Sequence, residues 1–394
     1  MVDINKIKRA ISMTRTPFYL YDRASIKKAY YSLSGILPKS FRIYYAIKAN
    51  PNAHIVSLLG RLGAGADVAS MGELRIALKA GIRPSMISFT GPGKTEEELS
   101  FAIRNKIGSI SVESEDEISL IEKLSTRARK VSSVVIRINP AFASETAGIR
   151  MGGGSQQFGI DEEAVPSALK LIKGCCHIDF AGVHMHTGSQ ILSEDTIAKN
   201  INYLLNFCLR LQDKEDIKLN MINFGGGLGI PYYYGQRPLD LKRLGSLIKD
   251  TFAKVQANKV FKKTTFIIEP GRFIVGQSGI YVTKVLYRKT SRGKAFLIVD
   301  GGMHQNMAAA GLLGEGLRRN RIIGTIFSGK KVSKKERVTV AGCLCTPLDI
   351  LAHDIELPVC APGDYLFITC SGAYGYSASP LGFLTHQMPP EVIL

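Results

Sequence analysis

Phe41-Arg42-Ile43-Tyr44-Tyr45-Ala46-Ile47-Lys48-Ala49-Asn50 is the stretch on which the fold turns. Four of its first six residues are aromatic or β-branched, which favours a strand. The run is nearly continuous in apolar character, as in a parallel strand buried on both faces, and it breaks off at a lysine. Seven runs of the same kind follow: Gly65–Ala69, Met86–Thr90, Ser109–Glu113, Val134–Asn139, Phe180–His186, Met221–Phe224 and Thr265–Glu269. Between them lie segments with helical spacing, among them Glu96–Arg104, Ser114–Leu124, Glu163–Lys173, Thr196–Leu211 and Asp240–Gln256. Eight alternating β/α units predict an α/β fold, a (β/α)8 TIM barrel.

After about Val275 the pattern changes to strands without long helices: Ile280–Tyr287, Ala295–Val299, Arg337–Ala341 and Tyr365–Thr369. This predicts a separate C-terminal β-sandwich or β-barrel domain, which the N-terminal Thr16–Tyr21 joins. The expected division is a barrel over residues 27–278 and a β domain over 1–26 and 279–394.

Composition bounds the function classes. With 394 residues, 45% hydrophobic and 21% charged, the chain is an ordinary globular protein, which excludes disorder, collagen, coiled coil and a small disulfide scaffold. No stretch approaches the roughly 18 apolar residues of a membrane span, and Met1–Ala10 has no apolar core after its charges, so a cytoplasmic location is expected. The seven cysteines are odd in number, and neither Cys175-Cys176 nor Cys343-x-Cys345 has structural-zinc spacing with nearby histidines. Charge is the anomaly, since 51 basic minus 33 acidic residues gives +18. Eight basic residues and one acid, Glu336, fall between Arg318 and Arg337. Such an excess suits nucleic acid, an anionic membrane or an acidic partner. Nucleic acid requires stacking aromatics among the basic residues, and this run holds only Phe327.

Polar residues just past the barrel strands are the candidates for chemistry. They are Lys48, Asp67, Arg137, His184, His186, the triplet Gly225-Gly226-Gly227, and Glu269-Pro270-Gly271-Arg272. A lysine at an apolar strand end is costly unless desolvated for use as a nucleophile or imine-forming amine, although an exposed structural lysine fits the same position. Three glycines allow backbone N–H groups to approach an anion, or simply make a tight loop. Arg272 adds a donor suited to phosphate, or a rim ion pair. His184 and His186 are two apart on a strand and share a face, which permits a metal pair, a ring stacked on a planar cofactor, or core packing. Zinc would need further ligands at other strand ends, and no metal is expected.

Together these residues resemble the fold-type III pyridoxal-phosphate decarboxylases, the ornithine, arginine and diaminopimelate decarboxylase family, over essentially the whole chain. Tyr45-Ala46-Ile47-Lys48-Ala49-Asn50 resembles the cofactor-lysine motif, and His186-Thr187-Gly188-Ser189 the ring-stacking histidine with a phosphate-binding serine. Gly225–Gly227 resembles the phosphate loop, and Glu269-Pro270-Gly271-Arg272 the motif whose carboxylate pairs with the pyridine nitrogen. Cys345-Thr346-Pro347-Leu348-Asp349 and Gly372-Ala373-Tyr374-Gly375 resemble the β-domain motifs.

The resemblance implies an alanine-racemase-like two-domain architecture and pyridoxal 5'-phosphate as cofactor. By it, Lys48, Cys345, His186 and Glu269 are catalytic. Asp67, Arg137, Ser189, Gly226, Gly227, Gly271, Arg272 and Tyr374 join Lys48, His186 and Glu269 in binding the cofactor. Cys345 is then a general acid, delivered across the interface of a homodimer, and a glutamate at 269, where a racemase has arginine, opposes racemisation.

Departures from the family bear on substrate. Diaminopimelate decarboxylases have a glutamate where this chain has Thr346, and an arginine and a tyrosine where it has Ala308 and Leu312. Their absence would leave the distal charges of that substrate unpaired. Asp300, Thr346 and Asp349 remain as substrate-binding candidates. Met151-Gly152-Gly153-Gly154, Gln157-Phe158-Gly159-Ile160, the Cys345–Asp349 motif and the tail Phe383-Leu384-Thr385-His386 resemble a subgroup acting on carrier-bound amino acids, on siderophore intermediates or in exopolysaccharide-associated clusters. The expectation is α-decarboxylation of an amino-acid unit, free or tethered to an acidic acyl-carrier protein docking on Arg318–Arg337. Diaminopimelate or ornithine/lysine decarboxylation is the alternative, a barrel metallohydrolase the remote one. No nucleic-acid or membrane partner is expected.

Overall fold

The structure is a computed structural model in which residues 3–142, 149–150, 152–256, 258–313, 319–329 and 332–394 are described. The chain divides into two compact units, one of residues 30–229 and 238–271, the other of 1–29, 230–237 and 272–394.

The first unit is the barrel. Its strands are Phe41–Ala46, Gly65–Val68, Ile87–Phe89, Ser109–Val112, Ser132–Asn139, Ile178–Met185, Met221–Asn223 and Thr265–Ile268. Each pairs parallel with the next, and the eighth returns to the first through Phe266 opposite Phe41, closing the barrel. All eight runs expected to be strands are strands. Helix Glu96–Arg104 has the expected limits and starts in a Thr95/Glu98 capping box, which satisfies two backbone donors reciprocally. Glu194–Glu215 is longer than its apolar repeat because Ser193 caps it and Glu194 and Asp195 favour its first turn. Phe252 meets Phe41 and Phe266 edge to face, with centroids 4.8 and 4.7 Å apart, so the helix Leu241–Gln256 is held on the first and eighth strands.

The second unit is a curled, mixed sheet in the order Ile323–Ile326, Tyr365–Ile368, Gly279–Ser291, Lys294–Val299, Lys335–Ala341, Ile350–Pro358. The strand Gly279–Ser291 holds it together, pairing by its first half with Tyr365–Ile368 and by its second with Lys294–Val299. The turn between them, Arg292-Gly293, has φ of +48° and +79°, the left-handed pair a tight hairpin needs. Phe18–Tyr21 adds to Gly279–Val282 antiparallel and accepts the chain's end, Glu391–Ile393, as a parallel neighbour. Helix Ile4–Met13, absent from the sequence expectation, is capped by Asp3 and buries Ile7 and Ala10 against Phe18, Leu20, Val282, Ile326 and Phe367. Ile4, Ile7, Ala10 and Ile11 do recur at helical spacing, but the helix is short and its burial comes from strands distant in the chain.

Candidate active site

The barrel residues are built from the strand ends upward. Past Ala46 the chain tightens into a 3-10 turn, Ile47–Ala49. Fully buried Tyr45 donates its hydroxyl to the Asn50 carbonyl at 2.9 Å, so the turn carrying Lys48 is tied at its far end to the strand that precedes it. The Lys48 ammonium meets the Asp67 carboxylate at 2.8 Å, with Asp67 buried and the lysine side chain nearly half exposed. A buried carboxylate at the end of the second strand thus holds a reachable amine at the end of the first.

Glu269, past the eighth strand, is 5% exposed. Asn223 Nδ2 donates to its Oε1, and Oε2 lies 3.5 Å from His184 Nε2. Burial, then the Asp67 charge, push its carboxyl up to about 8. His184 is held in turn by Ser111, 2.7 Å from Nδ1, and burial followed by the Arg137 charge keeps its ring well below the usual imidazole range, hence neutral. His186 is likewise pushed down to about 3 by burial and the Lys48 and Arg137 charges. Its Nδ1 accepts the Gly226 N–H at 3.1 Å, which fixes the tautomer.

That contact explains the glycine triplet. Gly225 and Gly227 have φ of +65° and +103°. A Cβ on Gly225 would stand 2.6 Å from His186 Nδ1, and one on Gly226 2.4 Å from the Glu269 carbonyl oxygen. The loop runs through a gap that only glycine fits. Gly271 is a second close approach, since a Cβ there would stand 2.8 Å from the Ala49 methyl. Ser189 sits in a two-residue strand, and Thr187 accepts a hydrogen bond from Asn200.

Arg137, expected at the cofactor, is engaged within the barrel. Its guanidinium contacts both Glu113 oxygens at 2.8 Å and covers the Phe158 ring at 4.8 Å. Sequence reasoning passed over Glu113, Ser111 and Asn223, although the strand-end rule that found Lys48 applies to Glu113 and Asn223 equally.

The second unit carries the remaining expected residues. Arg272 donates to the Tyr232 hydroxyl at 2.6 Å, and its guanidinium lies 4.8 Å from the Tyr374 ring centre. Tyr374 has φ of +58°, held by its turn. Cys345 is exposed on the loop after strand Lys335–Ala341, with Thr346 half-buried beside it. Asp349 is buried and accepts the Met303 and Leu344 N–H groups at 2.6 and 2.8 Å. Asp300 accepts from the Thr16 and Thr283 hydroxyls and the Lys284 N–H. Both aspartates, expected to read a distal cation, are thus occupied in shaping their own unit. Ala308 is buried and Leu312 half-buried.

Of the basic stretch, Arg318, Lys330 and Lys331 lie outside the described residues, as does Met151 of the glycine run. Arg321 is buried with its guanidinium 3.5 Å from the Tyr232 ring centre, while Lys335 and Arg337 pair with Glu356 and Asp354 at the surface. It is therefore a divided set of cations rather than one uniform patch.

The barrel residues fit pyridoxal 5'-phosphate. Lys48 offers a reachable amine, and Glu269 is a buried carboxyl whose ionised form lacks a full cationic partner, the place a protonated ring nitrogen would fill. No helix among the described residues is long and apolar enough to cross a membrane.

Comparison with known proteins identifies the family. Residues 23–276 match the family described as pyridoxal-dependent decarboxylase, pyridoxal binding domain. L-glutamyl-[BtrI acyl-carrier protein] decarboxylase of Niallia circulans is 39% identical over 382 residues, 96% of this chain and 88% of that protein. The 2-[(L-alanin-3-ylcarbamoyl)methyl]-2-hydroxybutanedioate decarboxylase of Staphylococcus aureus is 30% identical over 95% of this chain and 93% of its own length. Among solved structures, diaminopimelate decarboxylase of M. jannaschii in complex with L-lysine superimposes with a TM-score of 0.90 at 30% identity, covering 98% of this chain and 88% of that one. The chain belongs to the pyridoxal-dependent decarboxylases, carboxy-lyases that use pyridoxal 5'-phosphate.

Proposed function

We propose that this enzyme removes the α-carboxylate of an amino-acid unit tethered to an acidic carrier protein. The observation that carries this is the 39% identity, over nearly the full length of both chains, to a decarboxylase whose name specifies a glutamyl group on an acyl-carrier protein. The side chains support it. With Thr346, Ala308 and Leu312 where diaminopimelate enzymes have charged or phenolic groups, a small substrate with distal charges finds no partner for them. Because α-decarboxylation needs a free α-amine and α-carboxylate, the tether must run through the side chain, and the unit's far end then needs no charged reader. Arg319, Lys334, Lys335 and Arg337 are exposed and supply cations for an acidic carrier.

Bound in the barrel, pyridoxal 5'-phosphate supplies the electron sink for loss of carbon dioxide. Lys48 is the covalent anchor, kept in position by Asp67. Glu269 keeps a proton at the ring nitrogen, its carboxylate braced by Asn223 and its raised affinity for a proton set by burial. His186, neutral and fixed by Gly226, presents a ring face for stacking. In the barrel, Ser189, Gly226 and Gly227 serve the phosphate. Cys345 Sγ returns a proton to the α-carbon. An exposed thiol makes a poor general acid in water, so this role requires a second subunit to enclose it, which supports an obligate homodimer with shared active sites.

The test is release of carbon dioxide from free lysine, ornithine, diaminopimelate and glutamate against the same units on an acyl-carrier protein. Turnover confined to a carrier-bound form is expected. Ordinary rates on a free diamino acid would overturn the proposal.

A further inference from the structure

Three side chains from separate segments of the second unit converge: His304 from the turn after Val299, Cys343 from the loop after Ala341, and His386 near the chain's end. Their ligand atoms all lie within 4.8 Å of one another. Cys343 Sγ is 3.9 Å from His386 Nε2, and the two imidazole rings are 4.9 Å apart at their centres. His304 is 0% exposed, and neither of its ring nitrogens has a hydrogen-bond partner. An imidazole buried in that state forfeits its hydration without recompense, so its nitrogens call for a ligand.

The backbone around it is braced. Asp349 accepts the N–H groups of Met303 and Leu344, the residues beside His304 and Cys343, and Cys343 N–H donates to the Gly301 carbonyl at 3.1 Å. Gly302 and Gly342 give that carboxylate its room, since a Cβ on either would stand 2.7 or 2.2 Å from an Asp349 oxygen. A buried carboxylate thus pins two of the three segments and adds negative charge beside them.

We propose that His304, Cys343 and His386 form a binding site for a late first-row divalent cation, zinc foremost, with a fourth position open to water at the exposed His386. Two imidazoles and a thiolate suit zinc and disfavour magnesium or calcium. Tetrahedral zinc places such atoms about 3.5 Å apart, a contraction within reach of side-chain rotation. The ion ties the loop that carries Cys345 to the His304 turn and the C-terminal segment, a role independent of the substrate.

The test loads chelator-treated holoenzyme with Zn2+ or Co2+ alone. Retention of one equivalent per chain after gel filtration and d–d absorption from Co2+ at longer wavelength than the cofactor bands are expected. Cys343→Ser and His386→Ala each weaken binding by more than about tenfold, while Cys345→Ser leaves it intact. His386 is exposed, and retained cofactor absorbance reports that each variant is folded. Failure to retain metal, unchanged affinity in Cys343→Ser and His386→Ala, or its loss in Cys345→Ser would overturn the site.

Discussion

The strand ends of the barrel and the cysteine loop of the second unit both gather polar side chains, by opposite means. In the barrel, Lys48, Asp67, His184, Asn223 and Glu269 lie at or just past the C-terminal ends of strands that neighbour one another around the barrel, so a periodic architecture brings them together. In the second unit, His304, Cys343, Asp349 and His386 come from irregular segments, and the spacing of Cys343 and His386, 43 residues, follows no period. A regular fold carries chemistry at positions its own repeat defines. An irregular one does so only where buried hydrogen bonds, here those of Asp349, fix the loops.

If the barrel set is the reaction centre, its variants should lose turnover before stability, and the loop variants the reverse. Lys48→Ala is the strongest test. Activity should fall by several orders of magnitude with the fold intact by circular dichroism, as for removal of a covalent group. Retained activity would break the assignment of the barrel.

Next, Glu269→Gln should cost about a hundredfold in kcat, the size of a lost electrostatic contact in a closed site. The same residue gives a pH signature in cofactor-stripped protein. Its carboxyl is raised from 4.5 to about 8 in the fold, so the stability it contributes is full below pH 4.5 and lost as pH rises to about 8. Denaturant midpoints of the wild type should fall across that window relative to Glu269→Gln, and parallel curves would refute the shift.

In the other region, Asp349→Ala leaves the Met303 and Leu344 N–H groups unpaired and should lower stability by about 2–4 kcal/mol in urea melts. A rise in KM without loss of stability would restore Asp349 as a substrate reader and blur the contrast. The smallest effect belongs to the surface. Lys335→Ala removes a solvent-screened pair with Glu356 and should leave stability nearly unchanged, while raising the KM for a carrier-bound substrate at low salt more than at high salt.

The barrel was legible because apolar runs broken by turn residues recur with one period, and a parallel strand buried on both faces has few other compositions to choose from. Lys48 and Glu269 were legible for the same reason, as polar residues where the repeat ends. Asn223 and Glu113 obeyed the same rule unrecognised, since an asparagine or glutamate at a strand end is unremarkable until its partner is seen. Arg137 stood out as a polar residue at its strand end but not as the partner of Glu113, which lies past the neighbouring strand. The N-terminal helix and the strand Glu391–Ile393 are stabilised by residues hundreds of positions away, whereas Ile323–Ile326 and Ile350–Pro358 pair with strands much nearer in the chain but lack the barrel's repeating period.

The sequence by itself determined the barrel, the order of its polar strand ends and the family's cofactor, since these depend on local pattern and on residue chemistry at fixed offsets. Tertiary structure alone decided the protonation of Glu269 and His186, the need for glycine at 225–227, and the meeting of His304, Cys343 and His386. Each of these depends on burial and on the close approach of segments distant in the chain, and neither quantity is written in the order of the residues.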